Sequence, residues 1–120
     1  MSNADSLSEL SQLVQQFCTE RDWDQFHPPK DLAIGMSTEA NELLDLFRFK
    51  SDAEIQEKLQ SAEFKEQVSD ELADVFFFVL RFAQMNKIDL SAALAGKLKK
   101  NAAKYPVESA RGSNKKYNES

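Results

Sequence analysis

The stretch EFKEQVSDELADVFFFVLRFAQMN, Glu63 to Asn86, decides the fold. Phe64, Val68, Leu72, Val75, Val79 and Phe82 recur at three- and four-residue steps, the period of one helical face. Phe76, Phe77, Phe78 and Leu80 add apolar surface on other faces of the same helix. A helix that is apolar nearly all round is buried on several sides. In a chain of 120 residues, that predicts a partner subunit.

Upstream, Leu7, Leu10, Val14, Phe17 and Cys18 mark a first amphipathic helix, about Ser6 to Arg21. The segment Asp22 to Lys30 breaks it, because Pro28-Pro29 cannot sit in a helix interior and pushes His27 toward extended geometry. A second helix is predicted from Asp31, as its N-cap, to about Phe49. Ser51 to Glu63 reads as a short helix or loop. Downstream, Ile88-Asp89-Leu90-Ser91 is a turn, with Asp89 or Ser91 capping a last helix to about Tyr105, where Pro106 stops it. The chain has three Gly and three Pro, no strand-like alternation and no internal repeat. The fold class read from this is all-α, a four-helix chain. Residues 1–106 make a helical domain, and 107–120 a polar tail, mobile on composition unless a ligand or neighbour orders it.

Composition excludes several function classes. Hydrophobic residues make up 42% and charged residues 29%, as in ordinary globular proteins. The net charge is −5, and the basic pairs Lys99-Lys100 and Lys115-Lys116 come late, so no basic face for nucleic acid is expected. A single cysteine, Cys18, forms no intrachain disulfide and no four-cysteine zinc site, and it reads as a small core residue. No apolar run approaches the ~18 residues of a membrane span. The start MSNADSLSEL lacks a basic-then-apolar leader pattern, so the expected location is cytoplasmic.

The chemistry lies in two acidic pairs on apolar helices: Glu39 and Glu42 in STEANELLDLF, and Glu71 and Asp74 in DELADVFFF. Three-residue spacing puts each pair on one helical face. Gly35, Leu46 and Phe49 continue the face of the first pair, and Phe78 and Arg81 that of the second. If the two helices pack antiparallel, the pairs converge. Like charges at about 4 Å repel by ~4 kcal/mol at an effective dielectric near ~20. A divalent cation removes that repulsion, and all-oxygen ligands select Mg²⁺, with Mn²⁺ the other hard ion that suits them. The bland alternative, acids on wet helix faces, stays open on spacing alone. A di-iron bundle is rejected, since it needs a His three residues after a Glu on two helices, and His27 is the only histidine.

At these residues the chain resembles the MazG-like superfamily of helical nucleotide pyrophosphohydrolases, whose E-x-x-E, spacer, E-x-x-D pattern stands here as Glu39 to Glu42 and Glu71 to Asp74. It looks most like the dCTP pyrophosphatase-like branch. ERDWDQFHPPKDL (Glu20 to Leu32), ELLDLFRFKSD (Glu42 to Asp52), NAAKYP (Asn101 to Pro106) and ARGSNKKY (Ala110 to Tyr117) are similar to that branch's segments, in the same order. The resemblance implies a bundle completed across a dimer, often a dimer of dimers. It also implies Mg²⁺-dependent hydrolysis of a nucleoside triphosphate to the monophosphate and pyrophosphate, with dCTP or modified pyrimidine nucleotides favoured as a house-cleaning activity.

By the resemblance, Glu39, Glu42, Glu71 and Asp74 hold the metal, and Glu42 or Glu39 orients or deprotonates the attacking water. Trp23, His27, Phe49 and Phe78 match positions at the nucleoside; Lys97, Asn101, Arg111, Lys116 and Tyr117 match positions at the phosphate and sugar or a lid over them. Independently of the resemblance, Asp45, one turn on from Glu42, is a candidate to support the metal ligands, with a solvated helix face an equal reading. The branch has Trp at the place of Phe49 and Tyr at that of Phe78, and one relative has His where Val14 stands; many superfamily members have Glu at Thr38. Loss of these polar groups bears on base choice more than on the reaction. The alternative function is a non-enzymatic helical dimer, acting as a binding or adaptor module or as a nucleotide sensor.

Overall fold

A computed structural model describes residues 6–118. The first five residues of the stretch read for a leader lie outside the described residues, as do 119 and 120 of the tail. Among the described residues there are six helices and no strand: α1 (Leu7–Glu20), α2 (Pro29–Asp45), α3 (Asp52–Lys58), α4 (Ala62–Met85), α5 (Leu90–Lys104) and α6 (Val107–Ala110), with a 3-10 turn at Asp24–Phe26 after α1. The all-α reading holds, with two short helices added to the expected four.

Local chemistry sets the boundaries. Ser6 caps α1 by accepting from the Glu9 N–H, Ser61 caps α4 through Phe64, and Asp89 caps α5 through Ala92. Ser51 and Glu54 form a reciprocal capping box at α3, which is why that polar stretch is helix and not loop. The start of α2 differs from expectation. Its N-cap is Pro28 and its first residue Pro29, since a proline's missing N–H is no loss in the first turn; Asp31 sits inside that turn, facing the positive helix end. The same helix stops at Asp45. The N–H groups of Leu46 and Phe47 reach back only three residues, to Leu43 and Leu44, and Phe49 turns the chain out with φ of 63°.

The chain forms two compact units, one reaching to Lys87 and the other beginning at Ile88. In the first, α4 is the central helix, and α2 and α1 pack on it. Gly35 faces Phe78, and the Phe47 and Phe64 ring centroids lie 6.2 Å apart, so α2 and α4 run antiparallel. The buried core is small: Cys18, Leu32, Phe64, Leu80 and Ala83, with one charged residue, Arg81. Burial pushes the Cys18 thiol up, in keeping with a packing role. Leu72, expected on the buried stripe of α4, is 57% exposed, and Leu44 and Phe76 are exposed as well. In the second unit, the tail folds back as far as residue 118. The Tyr117 ring meets the Tyr105 ring edge-on at 6.0 Å, and Lys104 Nζ lies 4.9 Å from the Tyr117 ring centre. Contacts with the end of α5 thus hold a segment whose composition alone reads as mobile.

Candidate active site

The antiparallel crossing of α2 and α4 brings the two acidic motifs together. Carboxylate oxygens of Glu39, Glu42 and Glu71 lie within 4.8 Å of one another, close enough to ligate one ion. Asp74 stands just beside this group: it lines a cavity with Glu39, and its charge raises the proton affinity of both Glu39 and Glu71. Glu39 is pushed up to about 7, first by burial and then by the Glu42 carboxyl beside it. Glu71 is raised as well, again by burial and then by Glu42. One oxygen of each, Glu39 Oε2 and Glu71 Oε2, is buried without a hydrogen-bond partner.

Buried polar atoms are nearly always partnered, and an unpaired buried carboxylate is costly. Two orphan oxygens in one cluster of oxygen donors fit a hard divalent cation better than zinc or copper. Glu39, Glu42 and Glu71, with Asp74 at the edge, are the residues that would hold it. Asp45 is turned to other work, lying 3.8 Å from the exposed Arg48 guanidinium.

A series of aromatic rings shares the cavity of Glu39 and Asp74. The His27 and Trp23 rings lie 6.1 Å apart, Trp23 and Phe17 5.5 Å, Phe17 and Phe77 6.1 Å, and Phe77 and Phe78 5.4 Å, all edge to face. Trp23 and Phe78 separate two cavities. One, of about 480 Å³, is also lined by Glu39 and Asp74 and by Leu13, Val14, Phe17 and Phe77. The other, of about 390 Å³, is lined by Phe26, His27, Asp31, Ile34 and Gly35. The first places an apolar, aromatic slot against a carboxylate cluster. A flat ring and a phosphate–metal group would fit such a place.

Gly35 is part of this construction. A Cβ at that position would lie 2.6 Å from Phe78 Cζ and 3.0 Å from Cδ1, so the bare helix backbone is what seats the Phe78 ring. Arg81 is the other part that sequence reading passed over, although it lies on the acidic face of α4. It is 1% exposed and donates from Nε to His27 Nδ1 at 2.8 Å and from Nη1 to Gln84 Oε1 at 2.7 Å. Its Nη2 pairs with Asp24. Gln84 then donates to the Ser11 carbonyl and hydroxyl oxygens, both at 2.8 Å.

Of the residues matched by resemblance, Glu39, Glu42, Glu71, Asp74, Trp23, His27 and Phe78 are thus assembled around one crossing. Phe49 lines neither cavity; it is 92% exposed, with the Arg48 guanidinium 4.7 Å from its ring centre. Lys116 and Tyr117 line a separate cavity of about 340 Å³ within the second unit, with Lys104, Tyr105 and Ser109. Lys97, Asn101 and Arg111 belong to that unit but do not line its cavity.

The dCTP pyrophosphatase 1 of Rattus norvegicus is 36% identical over 112 residues, which are 93% of this chain and 66% of the relative. The Homo sapiens protein of the same name is 34% identical over 114 residues, 95% of this chain and 67% of its own length. The chain therefore spans about two thirds of these relatives. A solved pyrophosphatase of Archaeoglobus fulgidus superposes with a TM-score of 0.78 at 33% identity, covering 88% of this chain and 97% of that one. The MazG-like family model matches residues 34–119, which take in both acidic motifs and the helix that joins them. By motif, helix order and likeness over most of its length, the chain belongs to the MazG-like family.

Proposed function

We propose that the chain is a divalent-metal-dependent nucleoside triphosphate pyrophosphohydrolase, converting a (d)NTP to the monophosphate and pyrophosphate. The observation that carries this reading is the pair of orphaned buried oxygens, Glu39 Oε2 and Glu71 Oε2, in a carboxylate cluster that opens onto an aromatic slot. The names of the relatives and of the archaeal structure support the same reaction. Mg²⁺ held there would offset triphosphate charge and make water a better nucleophile at neutral pH.

The residues of the chain then divide the labour. Glu39, Glu42, Glu71 and Asp74 would hold the ion, whose charge would favour the ionised form of Glu39, a group otherwise raised to about 7. Glu42, with Glu39 beside it, orients the attacking water and takes its proton. The water oxygen bonds to the α-phosphorus, and the bond from there to the bridging oxygen breaks, releasing pyrophosphate. Trp23 and Phe78 hold the base by stacking, with Phe17 and Phe77 behind them.

The family resemblance, not the geometry, supports the rest. Lys97, Asn101, Arg111, Lys116 and Tyr117 take the phosphate and sugar end, and Phe49 the nucleoside. Base choice among dCTP and modified pyrimidine nucleotides rests on the names of the relatives. A second copy of the chain as partner is supported by the exposed Leu44, Phe49, Leu72 and Phe76 side chains.

The test is pyrophosphate release across canonical and 5-modified (deoxy)nucleoside triphosphates with Mg²⁺, alongside thermal shift. Release with one or a few pyrimidine nucleotides is expected. Stabilisation by Mg²⁺ and nucleotide without release would make the protein a sensor, and neither effect would make it an adaptor.

A further inference from the structure

We propose that Arg81 is a positioning residue for base reading: it holds His27 as the Nε2–H tautomer, so the cavity beyond Trp23 and Phe78 reads a ring carbonyl or ring-nitrogen lone pair. The inference rests on the pyrophosphohydrolase reading for its ligand class. Its structural half stands on the hydrogen bonds alone.

The tautomer follows from donor chemistry. A guanidinium has five N–H groups and no acceptor. Arg81 Nε lies 2.8 Å from His27 Nδ1, so Nδ1 must offer a lone pair. The neutral ring then carries its proton on Nε2. A protonated ring would turn an N–H toward the guanidinium and lose the bond. The charged groups facing His27 are Arg81 from α4, Asp24 from the 3-10 turn and Asp31 from the first turn of α2, in the same cavity. Burial and the Arg81 charge hold the imidazole below its ordinary range, and Asp24 opposes them.

Arg81 is well built for positioning. It is 1% exposed, and each of its three nitrogens has a protein partner: His27, Gln84 and Asp24. Gln84 carries the chain of bonds on to Ser11 in α1. The wall that carries Trp23 and His27 is thereby pinned to α4, the helix that also carries Glu71, Asp74 and Phe78. One helix sets both the metal end and the base end of the site. His27 is also the one imidazole in the chain, and the places of Val14 and Phe78 offer no hydrogen bond to a base.

The experiment uses the full chain. Because His27 is the only histidine, long-range ¹H–¹⁵N NMR of the labelled protein reads its tautomer without ambiguity. The expected spectrum shows an unprotonated Nδ1 and a protonated Nε2 through neutral pH. A protonated Nδ1, or fast exchange between tautomers, overturns the inference. In Arg81→Met the ring should exchange and titrate in the ordinary histidine range. KM for the best triphosphate should rise about tenfold, the loss of one hydrogen bond, with kcat within about twofold. An unchanged KM also overturns it. If that variant does not fold, two others decide. His27→Gln can still accept from Arg81 and donate to the cavity, so it should lose less affinity than His27→Leu; equal losses sink the idea. If the wild type releases no pyrophosphate, the proposed function fails, while the tautomer and quenching of the sole tryptophan, Trp23, by nucleotide still decide this inference.

Discussion

Helix α4 carries two charge clusters, each with buried polar atoms, and they are opposites. At Arg81 a cation 1% exposed meets partners on three sides, all supplied by the chain. Ten residues earlier, Glu71 meets Glu39 and Glu42, and two buried oxygens meet nothing. Removing a charge from water costs several kcal/mol unless partners restore what water gave. The first cluster is complete within the fold. The second keeps two carboxylate oxygens that no group of the chain satisfies, and on the proposed function a divalent cation would satisfy them.

The sharpest way to break this contrast is to neutralise one member of each cluster. Glu71→Gln should abolish pyrophosphate release, by about 10³-fold or more, because an ion ligand is lost. The same variant, without metal, should melt no lower than wild type, since it relieves crowding among acids. Near-normal turnover would sink the metal assignment, and a collapsed fold would show that the acids are structural. Arg81→Met should do the reverse to stability. Asp24 and His27 lose their shared donor, and a loss of ~1–3 kcal/mol is expected, at the low end because Asp24 is largely solvated. For a domain of this size ~1 kcal/mol moves Tm by several degrees, which calorimetry resolves.

The contrast also predicts a pH signature. Glu39 is raised to about 7, so the folded state binds more protons than the unfolded state between the ordinary carboxyl range and about pH 7. Stability without metal is therefore fully present below the unfolded pKa and falls as pH rises through 7. Mg²⁺ should stabilise more at pH 7.5 than at pH 5, where it must compete with protons. A metal-free Tm that climbs from pH 5 to 7.5 would contradict the raised Glu39. The Arg81 cluster contributes the opposite, smaller trend: His27 is lowered, so its share of stability is lost as pH falls below the ordinary histidine range.

The two clusters were unequally legible in the sequence. The acids announce themselves, because E-x-x-E and E-x-x-D on apolar helices are local patterns, and helical spacing alone places each pair. Helix existence was legible for the same reason, and of the two cap candidates read for the last long helix, Asp89 and Ser91, it is Asp89 that caps α5. Arg81 was visible on the acidic face of α4, but its partners Asp24 and His27 lie 57 and 54 residues away, and no local rule brings them together. The start of α2 was misread at Asp31, because an N-cap preference outweighed the ease with which proline opens a helix. The fold of 107–118 was hidden by polar composition, since the contacts that hold Tyr117, to the Tyr105 ring and Lys104, join residues about twelve apart that no local pattern links.

The smallest effect tests how the base end is held. Gly35→Ala pits two known magnitudes against each other. Alanine in a helix interior is better than glycine by about 1 kcal/mol. Against that, the new Cβ would sit 2.6 Å from Phe78 Cζ, and overpacking typically costs ~1–3 kcal/mol. The Phe78 ring can escape only toward the cavities it separates, because Phe77 lies 5.4 Å away on its own helix. Stability should therefore fall by ~0–2 kcal/mol, while KM for nucleotide rises several-fold and metal affinity stays put. In a Phe78→Leu background the clash is gone, and the same Gly35→Ala change should stabilise by about the propensity difference alone. If the effects of the two substitutions simply add, Phe78 is not seated by the bare backbone of α2, and the slot between Trp23 and Phe78 owes its width to something else.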